Sequence, residues 1–243
     1  MNLKNKVALV TGAGRRIGRA IALELATHGA TLAVHYRTSQ SEADALVSEI
    51  RTNGGDAQTF HADLEHVAEI EQMVSAILDA FGRIDILVNS ASVFAPTPLE
   101  QITERDWDAN LDTNLKAVFF LSKFASAAMR KQGAGKIINL GDWAGIRPYK
   151  DYLPYSVSKS ALIGLTKALA KELAPEVQVN CIALGMVIPP ETYTKEEVDR
   201  LVSRTLTKKM GTPEDVARAV TFFCETDFAT GAVLKLEGGR LLV

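Results

Sequence analysis

The stretch Val7-Ala8-Leu9-Val10-Thr11-Gly12-Ala13-Gly14-Arg15-Arg16-Ile17-Gly18 passes from an apolar run through a glycine turn into the opening of a helical pattern. Four apolar residues in succession, closed by Thr and Gly, read as a strand covered on both faces. Gly12 permits a tight turn, Gly14 lets backbone approach a pyrophosphate, and Gly18 allows close packing of helix on strand. Backbone N–H groups at the helix opening, together with the helix dipole, favour an anion there. Glycine-rich turns are common, so the weight lies in the position of this one between a strand and a helix.

Working outward, the alternation continues along the chain. β-rich runs fall at 7–11, 31–36, 57–61, 84–89, 136–140, 177–183 and 232–236, and helix-period segments at 20–27, 41–52, 69–81, 115–131 and 156–173. This rhythm predicts an α/β fold, a doubly wound parallel sheet of about seven strands with helices on both faces. No linker or repeat divides it, so residues 1–243 are expected to form one domain. Residues 186–212 break the rhythm, with Pro189-Pro190 ahead of a charged helical segment. Lying after the sixth strand at the carboxyl edge of the sheet, they are expected either to cover a substrate or to form a surface excursion.

Bulk composition narrows the function. The 243 residues carry a net charge of −2 with no basic face, which argues against nucleic-acid or anionic-membrane partners. Cys181 and Cys224 sit among apolar neighbours without metal-ligand spacing, so no metal is expected and buried free thiols are. The first apolar run breaks at Gly12, too soon for a secretion signal or a membrane span, and a cytoplasmic location is expected.

The end of the second strand selects the cofactor. A carboxylate about 20 residues beyond the glycines would bind a free ribose 2′-OH. The chain has His35-Tyr36-Arg37-Thr38-Ser39 there, and the next acid is Glu42. An arginine forks onto a 2′-phosphate and a serine adds a hydroxyl, so Arg37 and Ser39 predict NADPH. Arg16 is placed to reach the same phosphate or the pyrophosphate. Asp63 follows the third strand, where it can accept from the adenine amino group or cap the next helix.

Tyr155-Ser156-Val157-Ser158-Lys159 opens a long helical pattern and puts a phenol and an ammonium on one helix face. A nearby cation favours the phenolate, so Lys159 is expected to lower the Tyr155 pKa and make it a proton donor. Two neighbouring tyrosines serve as controls: four residues after Tyr149 stands Leu153, and four after Tyr152 stands Ser156.

On these motifs the chain resembles the short-chain dehydrogenase/reductase family over essentially its whole length. The matches are the Thr11–Gly18 turn, Asp63-Leu64, Asn89-Ser90-Ala91, Asn114 and Tyr155-x-x-x-Lys159. The resemblance implies a Rossmann-type sheet and a homotetramer. It implies that Tyr155 transfers the proton, that Lys159 also holds the nicotinamide ribose, and that Asn114 supports a proton-relay water. Cofactor contacts would come from Gly12, Gly14, Arg16, Ile17 and Gly18, from His35, Tyr36, Arg37 and Ser39, and from Asp63 and Leu64. Asn89, Ser90, Ala91, Ser92 and Gly185 would complete them with Tyr155 and Lys159. Ser90 stands where the family commonly has asparagine, and Leu184-Gly185 replaces its proline-glycine.

Asp142 stands thirteen residues before Tyr155, where the family has a serine. A carboxyl group accepts from an amino group or, when protonated, donates, which suits a nitrogen heterocycle better than a simple ketone. Arg16 in the turn, the His35–Ser39 strand end and Asn89–Leu99 are together similar to the pteridine reductases. By that likeness Phe94 would stack a pterin against the nicotinamide, and Ser92, Arg16, Asp142 and Tyr155 would contact it. The implied activity is NADPH-dependent reduction of a dihydrobiopterin- or biopterin-like pterin. The alternatives are a carbonyl reductase of the same family acting on 3-oxoacyl thioesters, and a non-catalytic dinucleotide-sensing module.

Overall fold

The computed structural model describes residues 1–190 and 192–243. Seven parallel strands lie in the order β3-β2-β1-β4-β5-β6-β7. They are β1 (Val7–Val10), β2 (Thr31–Tyr36), β3 (Ala57–His61), β4 (Ile86–Asn89), β5 (Gly135–Asp142), β6 (Val177–Leu184) and β7 (Val233–Leu236). The helices are α1 (Arg16–Thr27), α2 (Gln40–Thr52), α3 (Val67–Phe81), α4 (Glu104–Leu111), α5 (Ala117–Lys131), α6 (Leu153–Glu172), α7 (Lys195–Ser203) and α8 (Pro213–Glu225).

The two-residue period of a strand explains why β1 is apolar throughout. Ala8 and Val10 face a core shared with Ile21 and Leu25 of α1, Leu46 and Ile50 of α2, and Val216 and Val220 of α8. Val7 and Leu9 face the opposite core, with Ile70 and Ile77 of α3, Leu121 and Met129 of α5, and Leu169 of α6. Cutting one such buried Leu or Ile back to Ala costs about 2–5 kcal/mol. Cys181 and Cys224 are buried in these layers, and burial pushes their thiols up to about 11 and about 12.

Three features depart from the sequence expectation. Helix α4 precedes the predicted start at 115 and joins α5 through a wide π turn, Asp112–Lys116. Only Asn110 of α4 is buried, so the helix has no apolar stripe to read. Helix α8 was also unread, although Thr212 and Asp215 form a capping box ahead of Val216, Val220 and Phe223. Third, β5 and β6 run on in register to Asp142 and Leu184, which delivers Asp142 to the carboxyl edge. Strand order reverses between β1 and β4, and a crevice opens above that point. Among the described residues, no helix is long and apolar enough to cross a membrane.

Candidate active site

The crevice is a cleft of about 950 Å³ above the carboxyl ends of the strands. That is near the top of the range of roughly 300–1,000 Å³ usual for ligand pockets, enough for an extended cofactor and a second small molecule. At one end lies the glycine turn. Gly12 has φ +64°, a left-handed conformation, and its N–H donates to His35 Nδ1 at 3.0 Å. His35 Nε2 lies 3.1 Å from the Ala62 carbonyl, which fixes the tautomer as Nε2–H. Burial drives the His35 pKa down to about 4, so the ring is neutral. A Cβ on Gly18 would sit 2.4 Å from the Gly12 carbonyl oxygen, so only glycine closes this turn. Thr11 Oγ1 accepts from the N–H groups of Ser90 and Ala91 at 2.9 and 3.0 Å, tying the turn to the segment after β4.

Arg37, just past the end of β2, is half-exposed and paired with Glu65 at 3.2 Å and Asp63 at 3.8 Å. Arg16, with φ +54°, sends Nη2 to the Ile188 carbonyl at 3.2 Å. Ile17, Tyr36, Ser39 and Leu64 also line this half of the cleft. The glycine turn, with Arg37 and Ser39 on the same half of the cleft, fits a dinucleotide carrying a 2′-phosphate.

At the other end, Asp142 accepts from the Tyr155 hydroxyl on Oδ2 and the Tyr149 hydroxyl on Oδ1, both at 3.0 Å. It also takes the Ala144 N–H at 2.7 Å, capping a single 3₁₀ turn, Trp143–Gly145. Burial raises the Asp142 pKa against the pull of that N–H and of Lys159. Lys159 is buried, with Nζ on the Leu140 carbonyl at 2.9 Å and 5.6 Å from the centre of the Tyr155 ring. Phe94 stacks on Tyr152 with centroids 4.5 Å apart and meets the edge of Tyr155 at 4.8 Å.

Comparison with known proteins now decides the family. The model of the short chain dehydrogenases matches residues 6–199. This chain belongs to the short-chain dehydrogenase family. The 3-oxoacyl-[acyl-carrier-protein] reductase of Synechocystis sp. is 38% identical over 99% of this chain and 98% of its own length. FolM alternative dihydrofolate reductase 1 from Brucella canis, solved with NADP, superposes with a TM-score of 0.94 at 33% identity, covering 100% of this chain and 96% of that one. A blue fluorescent protein from a metagenomic library, solved with NADPH, gives 0.92 at 34% identity, covering 99% of each.

For this short-chain dehydrogenase, several sequence expectations need correction. Lys159 was expected to lower the Tyr155 pKa, but burial and the Asp142 carboxylate raise it well above 10.0. Asn89 does not line the cleft; it is buried and donates to Asn139 across to β5 at 2.8 Å. Gly14 is not among the residues lining the cleft, and a Cβ there would meet Ser39 Oγ at 3.1 Å. His35 lines the cleft as expected and also supports the turn through the Gly12 N–H. Asn114 spends its amide on the segment after β4: Oδ1 accepts from Ser92 Oγ and the Val93 N–H, and Nδ2 donates to the Val93 carbonyl and Ser158 Oγ. Ser90, Ala91, Ser92, Asp63 and Gly185 line the cleft, as do Met186, Val187, Ile188 and Tyr193 of the 186–212 segment. Residue 191 of that segment lies outside the described residues.

Sequence reasoning passed over Tyr149, Tyr152 and Thr11. Tyr149 had been set aside for lacking a lysine four residues on, yet it lies seven residues after Asp142, the carboxylate it bonds. Thr11 stood within the quoted motif, and only the fold reveals its partners in the β4 loop.

Proposed function

We propose that this short-chain dehydrogenase is an NADPH-dependent pterin reductase acting on a dihydrobiopterin- or biopterin-like ring. The observation that carries this reading is Asp142, a half-buried carboxylate bonded by two phenols where the family's serine would stand. Such a group matches the amino and ring-nitrogen edge of a pterin, whereas a lone ketone oxygen offers it nothing to accept from. FolM, among the structural neighbours, is named as a dihydrofolate reductase, which supports a substrate of this ring class.

The glycine-lined half of the cleft would hold NADPH, which would supply the hydride. Arg37 exchanges Glu65 for the 2′-phosphate, and Lys159, using one N–H on Leu140, keeps others for the ribose. Phe94, backed by Tyr152, offers a flat surface to the substrate ring, so two planar reactants are held together. Tyr155 donates its proton to the ring nitrogen next to the carbon that receives hydride. Asp142, protonated more readily than an exposed aspartate, returns a proton to the Tyr155 oxygen along their 3.0 Å bond. Tyr149 holds the other carboxyl oxygen and fixes its direction. Assembly as a homotetramer is part of the same proposal, and light scattering on the purified protein tests it.

A second reading, reduction of 3-oxoacyl thioesters, is favoured by the names of the curated relatives. Following NADPH oxidation with dihydrobiopterin, biopterin and a 3-oxoacyl thioester separates the two. Turnover of pterin is expected, and turnover of the thioester alone would overturn the assignment.

A further inference from the structure

Beyond Tyr149, the cleft ends among arginines. Arg147, Arg204 and Arg240 line its outer mouth and also a side recess of about 410 Å³ that opens beside it, so they border open space on two sides. Among the described residues, Arg204 and Arg240 have no carboxylate within 4.0 Å, whereas Arg147 Nη1 donates to the Val243 oxygen at 2.6 Å. Glu237 lies on the same cleft, but its Oε2 accepts the Leu241 N–H at 3.0 Å. Arg240 is half-buried, seated 5.4 Å over the ring of Trp143. Burial lowers its pKa, and the nearby Arg147 and Arg204 push it the same way.

This group is remote from the cofactor's phosphates by topology. Trp143 follows β5 and Arg240 follows β7, whereas Arg37 follows β2 on the far side of β1 and β4. The arginines are close to the chemistry instead. The Trp143 ring is 5.2 Å from the Tyr149 ring, whose hydroxyl is on Asp142. Thus one cation–π contact and one ring-to-ring contact lead from Arg240 to Tyr149 at the proton-donating end.

We propose that these arginines form an anion subsite that receives a carboxylate- or phosphate-bearing tail on the substrate, with Arg240 as its seat and Arg147 and Arg204 at its flanks. A guanidinium forks onto either oxyanion, and a bound anion supplies a counter-charge to Arg204 and Arg240. The inference rests on the reductase reading and sharpens it: the preferred substrate is charged at the end away from the reduced ring. A pterin with a glutamate tail and a thioester with a phosphate-containing arm both carry such a group.

The test compares dihydrobiopterin, which has an uncharged side chain, with dihydrofolate and acetoacetyl-CoA. In the native enzyme, dihydrofolate is expected to have the lower KM of the two pterins, rising with ionic strength. Arg240→Gln is expected to raise the dihydrofolate KM, relative to that of dihydrobiopterin, about tenfold, the loss typical of one charge-assisted hydrogen bond. Arg204→Gln, an exposed position without the Trp143 contact, should move the ratio in the same direction. An unchanged KM ratio in both variants overturns the subsite. If only acetoacetyl-CoA is turned over, the pterin reading falls by itself. A raised thioester KM in Arg240→Gln then upholds the subsite, and an unchanged one overturns it.

Discussion

The Tyr155 hydroxyl and the Asp142 carboxylate share one hydrogen bond of 3.0 Å, and burial pushes both pKa values up. The pair therefore takes up and releases protons together. As pH rises through the raised Asp142 value, the carboxyl ionises and can no longer refill Tyr155. Pterin turnover should be greatest on the acid side and decline as the solution becomes more basic. Asp142→Asn, which cannot deliver a proton, should be slower and should lose this limb. A kcat–pH profile of both enzymes is the check, and the same limb persisting in the variant would count against the dyad.

Tyr155→Phe keeps the ring that meets Phe94 edge-on and removes only the proton. Turnover should drop roughly 10²–10⁴-fold, the usual contribution of a placed acid. NADPH affinity, measured by fluorescence titration, should hold. Undiminished turnover would remove the phenol from the chemistry.

Arg37 is already engaged by Glu65, so the 2′-phosphate competes with a carboxylate for it. Glu65→Gln should tighten NADPH by about two- to fivefold, the scale of a solvent-screened pair, and leave NADH unaffected. Arg37→Asp should move the preference from NADPH toward NADH by at least about tenfold. Parallel Kd measurements decide, and equal changes for both dinucleotides would contradict the assigned role.

His35 should make the fold acid-sensitive. Its pKa falls from 6.5 to about 4 on folding, because the buried ring accepts from Gly12 only when neutral. Above pH 6.5 both states are neutral there and the contribution is complete; as pH drops toward 4, the unfolded chain gains a proton the native one refuses. The stability lost over that interval is on the order of 3 kcal/mol. Denaturant midpoints of the native protein and His35→Gln across the interval should diverge in slope, with the variant the flatter.

Legibility followed the reach of local pattern. The seven strands were readable because β1, β4, β5 and β6 are apolar on both faces, and the Tyr155–Lys159 pair because helical spacing alone makes it. The direction of the Tyr155 pKa was misread because spacing reports the lysine and is blind to burial. Asp142 could be singled out by its spacing from Tyr155, but its second phenol, Tyr149, depends on the course of residues 143–152. The arginine corner joins residues 147, 204 and 240, which only the sheet brings together. Helix α4 escaped because a helix that buries one residue leaves no stripe.

Arg16 holds a left-handed backbone that glycine would adopt freely, at a cost of about 1 kcal/mol or more, and its side chain reaches the Ile188 carbonyl. The chain thus carries a tether between the glycine turn and the segment after β6 that lines the cleft. Exchanging Arg16 for glycine would give a hardier protein with a slacker mouth, so thermal endurance and grip on the substrate pull in opposite directions at this one position.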